Sequence, residues 1–180
     1  MEYRRAKIEG GKFFFTVVTH NRRGFLCEPE NIILLRQAFR QIIVEYPFVI
    51  DAIVILPEHI HCLWTLPPGD SDFSKRWRLI KSYFSSRCDA KYKGKISASR
   101  QKKGEQAVWQ RRFWEHQIKD EHDFVRHFDY IHYNPVRHAY VKTPKDWRYS
   151  SFLLYVEKGV YDINWGTGEE IEFTEDVGWE

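Results

Sequence analysis

The sequence predicts an α+β domain: a ferredoxin-like antiparallel sheet with helices mainly on one face, plus a short C-terminal helix and tail. Three observations predict it. Four short runs are rich in β-branched and aromatic residues, as strands are. Between and after them, apolar side chains recur at the 3.6-residue spacing of amphipathic helices. The resulting order, β-α-β-β-α-β-α, joins the second and third strands by a link that suits a hairpin. The 180 residues, 43% hydrophobic, suffice for one packed domain. No apolar run approaches the roughly 20 residues needed to cross a bilayer.

Taken in order, Gly10-Gly11 precedes Lys12 to His20, a first strand, and Asn21-Arg22-Arg23-Gly24 is a basic turn. Pro29 and Glu30 suit the first turn of a helix that runs to about Tyr46, with Leu35, Phe39, Ile42 and Tyr46 on one face. Pro47 stops it, and Phe48 to Ile55 is the second strand. Leu56-Pro57-Glu58 delivers the third, which reaches Leu66, and Pro67-Pro68-Gly69-Asp70 breaks the chain. Asp72 caps a helix whose apolar stripe is Phe73, Trp77, Ile80, Phe84 and Cys88. Residues 91–106 are basic and without period, which predicts a mobile loop, and Val108 to Ile118 returns as a strand. Asp120 caps a helix from Glu121 to about Tyr133, ended by Pro135, and a last short helix covers about Asp146 to Tyr155.

Charge and cysteine usage narrow the class. The net charge is +3, but residues 158–180 hold seven acids and one base, which leaves residues 1–157 at +9. A basic body points to a polyanionic partner, and an acidic tail can compete for the same surface. The chain therefore divides into a basic body, residues 1–157, which the family resemblance given below implies is the catalytic domain, and an acidic tail, residues 158–180, in which Trp165 and Trp179 suggest partial docking. Seven Trp, ten Tyr and thirteen Phe exceed what an average core needs and leave spares for stacking on bases. Cys27, Cys62 and Cys88 form no CxxC pair, and the N-terminus lacks a signal-peptide stretch, so reduced thiols in a cytoplasmic protein are expected.

The motif that organises the chain is Leu56 to Leu66. On a strand, Ile60, Cys62, Trp64 and Leu66 share one face, and His59 and His61 share the other. Two imidazoles then project the same way from a rigid backbone, as metal ligands do, although two polar residues on a wet face read the same. In the late helix, Tyr130 and Asn134 lie one turn apart, away from the apolar stripe of Phe124, Phe128 and Ile131. A divalent cation on the histidines would polarise a phosphodiester oxygen for attack by Tyr130, and the Asn134 amide oxygen is a plausible third ligand. His116, His122, His127, His132 and His138 are expected as surface or packing residues, His127 on the Tyr130 side.

His59-Ile60-His61 with Tyr130 and Asn134 resembles the single-tyrosine HUH transposases, and most closely their REP-associated tyrosine branch. The resemblance includes Tyr3-Arg4-Arg5, Gly11 to Val17, Asn21-Arg22-Arg23, Leu56 to Pro67, Trp109 to His116 and Asp129 to Val136. It implies a bacterial, nucleoid-associated single-strand DNA endonuclease and strand transferase, dependent on Mg²⁺ or Mn²⁺. Its implied substrates are REP-type hairpins, cut through a 5′-phosphotyrosine intermediate with release of a 3′-hydroxyl. By the same resemblance His59 and His61 are ligands and Tyr130 is the nucleophile. Asparagine at 134, where many relatives have glutamine, leaves the third ligand open. The basic arm Arg4, Arg5 and Lys7 would read a short guide sequence beside the hairpin. Arg22, Arg23, Lys75, Arg76, Arg78, Lys81, Arg111 and Arg112 are candidates for phosphate contacts. A homodimer and a monomer are both compatible with the family. The alternatives are a catalytically silent hairpin-binding module derived from a transposase, and an RNA-binding sheet domain, which the histidines on the sheet face count against.

Overall fold

The computed structural model describes residues 9–168, 170–174 and 177–178. Its elements are β1 (Lys12–Val18), α1 (Pro29–Glu45), β2 (Val49–Ile55), β3 (His59–Thr65), α2 (Phe73–Arg87), α3 (Ala98–Lys102), β4 (Trp114–Gln117), α4 (Glu121–Arg137) and α5 (Phe152–Glu157). The four strands form one antiparallel sheet in the order β2-β3-β1-β4, so the histidine strand is central.

Alternation along the two central strands builds two cores. Phe13, Phe15 and Val17 of β1, with Ile60, Cys62 and Trp64 of β3, turn toward α1 and α2. There Trp64 stacks on Trp77 with ring centroids 4.5 Å apart. The other face offers Phe14, Leu63, Ala52 and Val54, which pack under Phe128, Tyr130 and Ile131 of α4 and Phe152 of α5. The α+β plan and the antiparallel sheet are as expected, with the pair α1 and α2 on one face. The histidine face is not an open platform, however, because α4 and α5 cover it.

Aromatic residues fill these cores instead of waiting for bases. Among the described residues, no Phe or Trp belongs to the large exposed side chains.

Four element boundaries differ from the sequence reading. α4 passes through Pro135 and ends at Arg137. A proline in the last turn removes one helix hydrogen bond, and the burial of Asn134 and Pro135 under the fold offsets that loss. Of the strand expected from Val108 to Ile118, only Trp114–Gln117 pairs continuously, with a lone bridge between Thr19 and Trp109. Residues 91–106 contain α3, capped by Ser97 Oγ, which accepts from the Arg100 amide at 3.3 Å. The last helix starts at Phe152. Before it the chain runs beside β2, where the Ile55 amide donates to the Tyr149 carbonyl at 2.8 Å.

Candidate active site

β3 places His59 and His61 against α4, and both are wholly buried. Their Nε2 atoms are 3.0 Å apart. Each Nδ1 is engaged from behind. His59 Nδ1 lies 2.9 Å from Glu58 Oε1, and His61 Nδ1 lies 2.9 Å from Oγ1 of Thr16, its cross-strand partner on β1. Glu58 also accepts the Tyr140 hydroxyl at 3.1 Å. The His59 hydrogen bond, against the cost of burial, draws the Glu58 carboxyl down to about 2.

An ionised carboxylate only accepts, so the Glu58 contact takes its proton from His59 Nδ1, and the metal-binding arrangement follows for a neutral imidazole. Neutral His59 carries its proton on Nδ1 and presents a lone pair at Nε2. The 3.0 Å contact then has His61 donating from Nε2, with its Nδ1 accepting from the Thr16 hydroxyl. One proton shift within His61, from Nε2 to Nδ1, lets it donate to Thr16 instead. Two Nε2 lone pairs then face one point, held by Glu58 and Thr16 as outer partners. The residues therefore fit a divalent cation.

α4 crosses this pair. The Tyr130 ring is fully buried, with its centroid 5.3 Å from that of His61 and 6.0 Å from that of Phe14. His138, two turns later, brings its ring to 5.3 Å from His59. Asn134 lies between Tyr130 and His138 on the same helix face and is also fully buried. Arg137 Nη1 donates to Tyr130 Oη at 2.8 Å, which favours negative charge on that oxygen. Glu58, Thr16 and Arg137 were not singled out in the sequence. The signals were present: Glu58 precedes the histidine pair, and Arg137 stands two turns after Tyr130.

The described residues of the C-terminal tail close over this centre. Tyr161, Val177 and Trp165 join the core beneath α4, and the Phe173 ring meets Tyr130 edge-on at 5.3 Å. Tyr130 Oη is 3.4 Å from the Gly178 carbonyl. Gly178 has φ +70°, and a Cβ there would fall 2.2 Å from Tyr130 Cε1 and Cζ. Only a residue without a side chain fits so close to the phenol. Trp179 lies outside the described residues.

The basic candidates separate by role. A cleft of about 1070 Å³ between α2 and residues 100–113 gathers Lys75, Arg78, Lys81, Arg111 and Arg112. It adds Arg100 and Lys103, from the stretch expected to be a mobile loop. Lys81 Nζ donates to the Gln110 carbonyl at 2.6 Å, and Glu105 accepts from Arg111 Nε at 2.8 Å and Arg100 Nη1 at 3.2 Å. These bonds shape the cleft wall, whereas Arg78 and Arg112 are exposed. Arg76 is a correction: it is 2% exposed, paired with Asp70 at 2.6 Å, and donates to the Tyr46 and Pro47 carbonyls. Its task is to join α2 to the end of α1. Arg22 is exposed elsewhere, and Arg23 donates to the Tyr92 carbonyl. Arg4, Arg5 and Lys7 lie outside the described residues.

Comparison with known proteins gives this geometry a family. A sequence profile described as "Transposase IS200 like" matches residues 8–134. The chain is 44% identical over 173 residues to the REP-associated tyrosine transposase of Escherichia coli K12, covering 96% of this chain and 94% of the relative. It is 40% identical over 176 residues to the Haemophilus influenzae counterpart, covering 97% and 98%. A solved structure of a REP-associated tyrosine transposase bound to a REP hairpin superposes with a TM-score of 0.80 at 42% identity. That match covers 100% of this chain and 98% of the other. With the sheet, the buried histidine pair and the tyrosine helix already in place, the chain belongs to the IS200-like transposases, enzymes that nick and join DNA, in their REP-associated tyrosine branch.

Proposed function

We propose that the protein cuts and rejoins single-stranded DNA beside REP-type hairpins, with Tyr130 as nucleophile and a 5′-phosphotyrosine intermediate. The observation that carries this reading is the seat of Tyr130, ring to ring with His61 and hydrogen-bonded to Arg137. His59 and His61 would hold the divalent ion, Mg²⁺ or Mn²⁺, with Asn134 as the third ligand. When bound, that ion supplies a positive charge that polarises the scissile phosphate.

The protein's own groups supply the rest. Tyr130 Oη forms a bond to phosphorus as the bond from phosphorus to the 3′ oxygen breaks. The proton lost by the phenol is balanced by the proton on the released 3′-hydroxyl. Arg137 steadies the charge on Oη while Glu58 and Thr16 keep both imidazoles aimed. Since one phosphodiester is exchanged for another, the 3′-hydroxyl can return and rejoin the strand.

The cleft beside α2, with exposed Arg78 and Arg112, supports binding of a phosphate backbone. The hairpin substrate is supported by the relative solved with a REP hairpin at 42% identity. Residues 1–157 are read as the catalytic domain and 158–180 as a tail that restrains it, supported by the Gly178 carbonyl over Tyr130.

The test uses a single-stranded hairpin labelled on its 3′ side, incubated with Mn²⁺ and resolved on a denaturing gel. Wild type should yield a protein–DNA adduct and Tyr130→Phe none. An adduct that survives in Tyr130→Phe would reassign the nucleophile, with Tyr133 next. DNA binding without any adduct would favour a silent hairpin-binding module.

A further inference from the structure

A second group of metal-ligating side chains lies away from His59 and His61. His116 on β4 meets Asp123 and His127, which are one turn apart at the start of α4. One donor atom from each falls within 4.8 Å of the others, and this is the group of three His, Cys, Asp or Glu found at metal-binding spacing among the described residues. His116 Nε2 is 2.8 Å from Asp123 Oδ2, and His127 Nδ1 is 3.1 Å from Asp123 Oδ1. The two imidazoles stack with centroids 4.5 Å apart and planes 15° from parallel.

His127 adds a second, independent observation. It is 1% exposed, and its Nδ1 lies 2.8 Å from the Asp123 backbone carbonyl, an oxygen that only accepts. Nδ1 therefore carries the proton and Nε2 a lone pair. That Nε2 is buried and has no hydrogen-bond partner among the described residues. The His127 imidazole is thus buried with one nitrogen lone pair that no group among the described residues satisfies.

We infer that His116, Asp123 and His127 form a second divalent-metal site, distinct from the His59–His61 pair, which clips edge strand β4 to the first turn of α4. Two imidazoles and one carboxylate suit a borderline first-row ion such as Zn²⁺ or Co²⁺, with water completing the shell. Donor atoms around tetrahedral zinc lie about 3.3 Å apart, and because the two rings stack, the partly exposed His116 ring must turn before both in-plane lone pairs meet one ion. Thr16 pairs with His61 on one side and with Trp114 on the other, so β1 stands between the two sites. They are thus separated by two strand spacings, roughly 10 Å, too far for two ions sharing one phosphate. The role is positional: Tyr130 follows His127 by three residues on the same helix, and a fixed first turn fixes its approach.

The test is Co²⁺ titration of the full chain after chelator dialysis, read by visible absorption and calorimetry, and it does not depend on Tyr130 chemistry. Wild type should bind two equivalents. His59→Ala/His61→Ala should retain one, with the absorption bands of nitrogen- and oxygen-bound cobalt, and adding His116→Gln should abolish it. Glutamine keeps a hydrogen bond to Asp123 while removing the imidazole. A wild type whose bound cobalt is lost entirely in His59→Ala/His61→Ala overturns the inference. So does a remaining equivalent that survives His116→Gln together with His127→Gln. Zn²⁺ should raise the melting temperature of His59→Ala/His61→Ala, and an unchanged value at saturating zinc also overturns it.

Discussion

Gly178→Ala tests the tail most sharply, because the geometry sets the size of the effect. The added Cβ would fall 2.2 Å from two Tyr130 ring carbons and 2.4 Å from Oη. The phenol has nowhere to go, held by the rings of Phe14 and His61 and by Arg137. An L-residue at φ +70° adds about 1–2 kcal/mol of backbone strain. Overpacking adds about 1–3 kcal/mol. A combined loss near 3 kcal/mol shifts the docked-to-undocked ratio of the tail about 150-fold. Single-turnover nicking of a labelled hairpin in Mn²⁺ should therefore accelerate by at least about tenfold, while proteolysis of residues 158–180 quickens. If proteolysis quickens and the nicking rate stays at the wild-type value, the tail packs on Tyr130 without restraining it. A slower rate would make the tail part of the active centre.

Three further outcomes follow from the same geometry. Thr16→Val removes the acceptor for His61 Nδ1–H in the metal-bound tautomer, a buried orphan costing about 1–3 kcal/mol. Calorimetry should show Mn²⁺ binding weakened about 5- to 150-fold, and unchanged affinity would show that the tautomer exchange plays no part. Burial lowers His132 to about 3, well below its unfolded value, so the unfolded chain binds the extra proton. Its contribution is complete above about pH 6.5 and falls away toward pH 3, with about 2 kcal/mol lost between pH 8 and pH 5. Thermal melts should drop by about 4–8 °C over that interval, and His132→Gln should flatten the drop. Finally, Arg78→Ala/Arg112→Ala should reduce the slope of log affinity against log salt for single-stranded hairpins by about 1.4, roughly 0.7 per phosphate contact, whatever their sequence; an unchanged slope would move the DNA elsewhere.

Much of this was legible because it depends on local period. Strand alternation put Ile60, Cys62 and Trp64 on one face and His59 and His61 on the other, and that is how β3 lies. The four-residue step from Tyr130 to Asn134 marked the side of α4 that faces the histidines. What stayed hidden depends on tertiary packing. Pro135 reads as a helix stop, yet the buried last turn carries α4 on to Arg137, which reaches back to Tyr130. Arg76 looks like any other cation on a basic helix until Asp70 and two carbonyls surround it. The 91–106 stretch carries no hydrophobic period because its order comes from the polar contacts of Ser97 and Glu105. The histidine face looked open because α4 covers it from 60 residues away, beyond any local pattern.

The most direct test of the phosphotyrosine chemistry is peptide mapping of the covalent adduct. Wild-type protein is incubated with hairpin DNA and Mn²⁺, trimmed with nuclease and protease, and read by mass spectrometry. A nucleotide joined through its 5′-phosphate to Tyr130, with a free 3′-hydroxyl on the other DNA fragment, is the predicted result. A nucleotide on any other residue, or a cut with 5′-hydroxyl ends and no adduct, would contradict it.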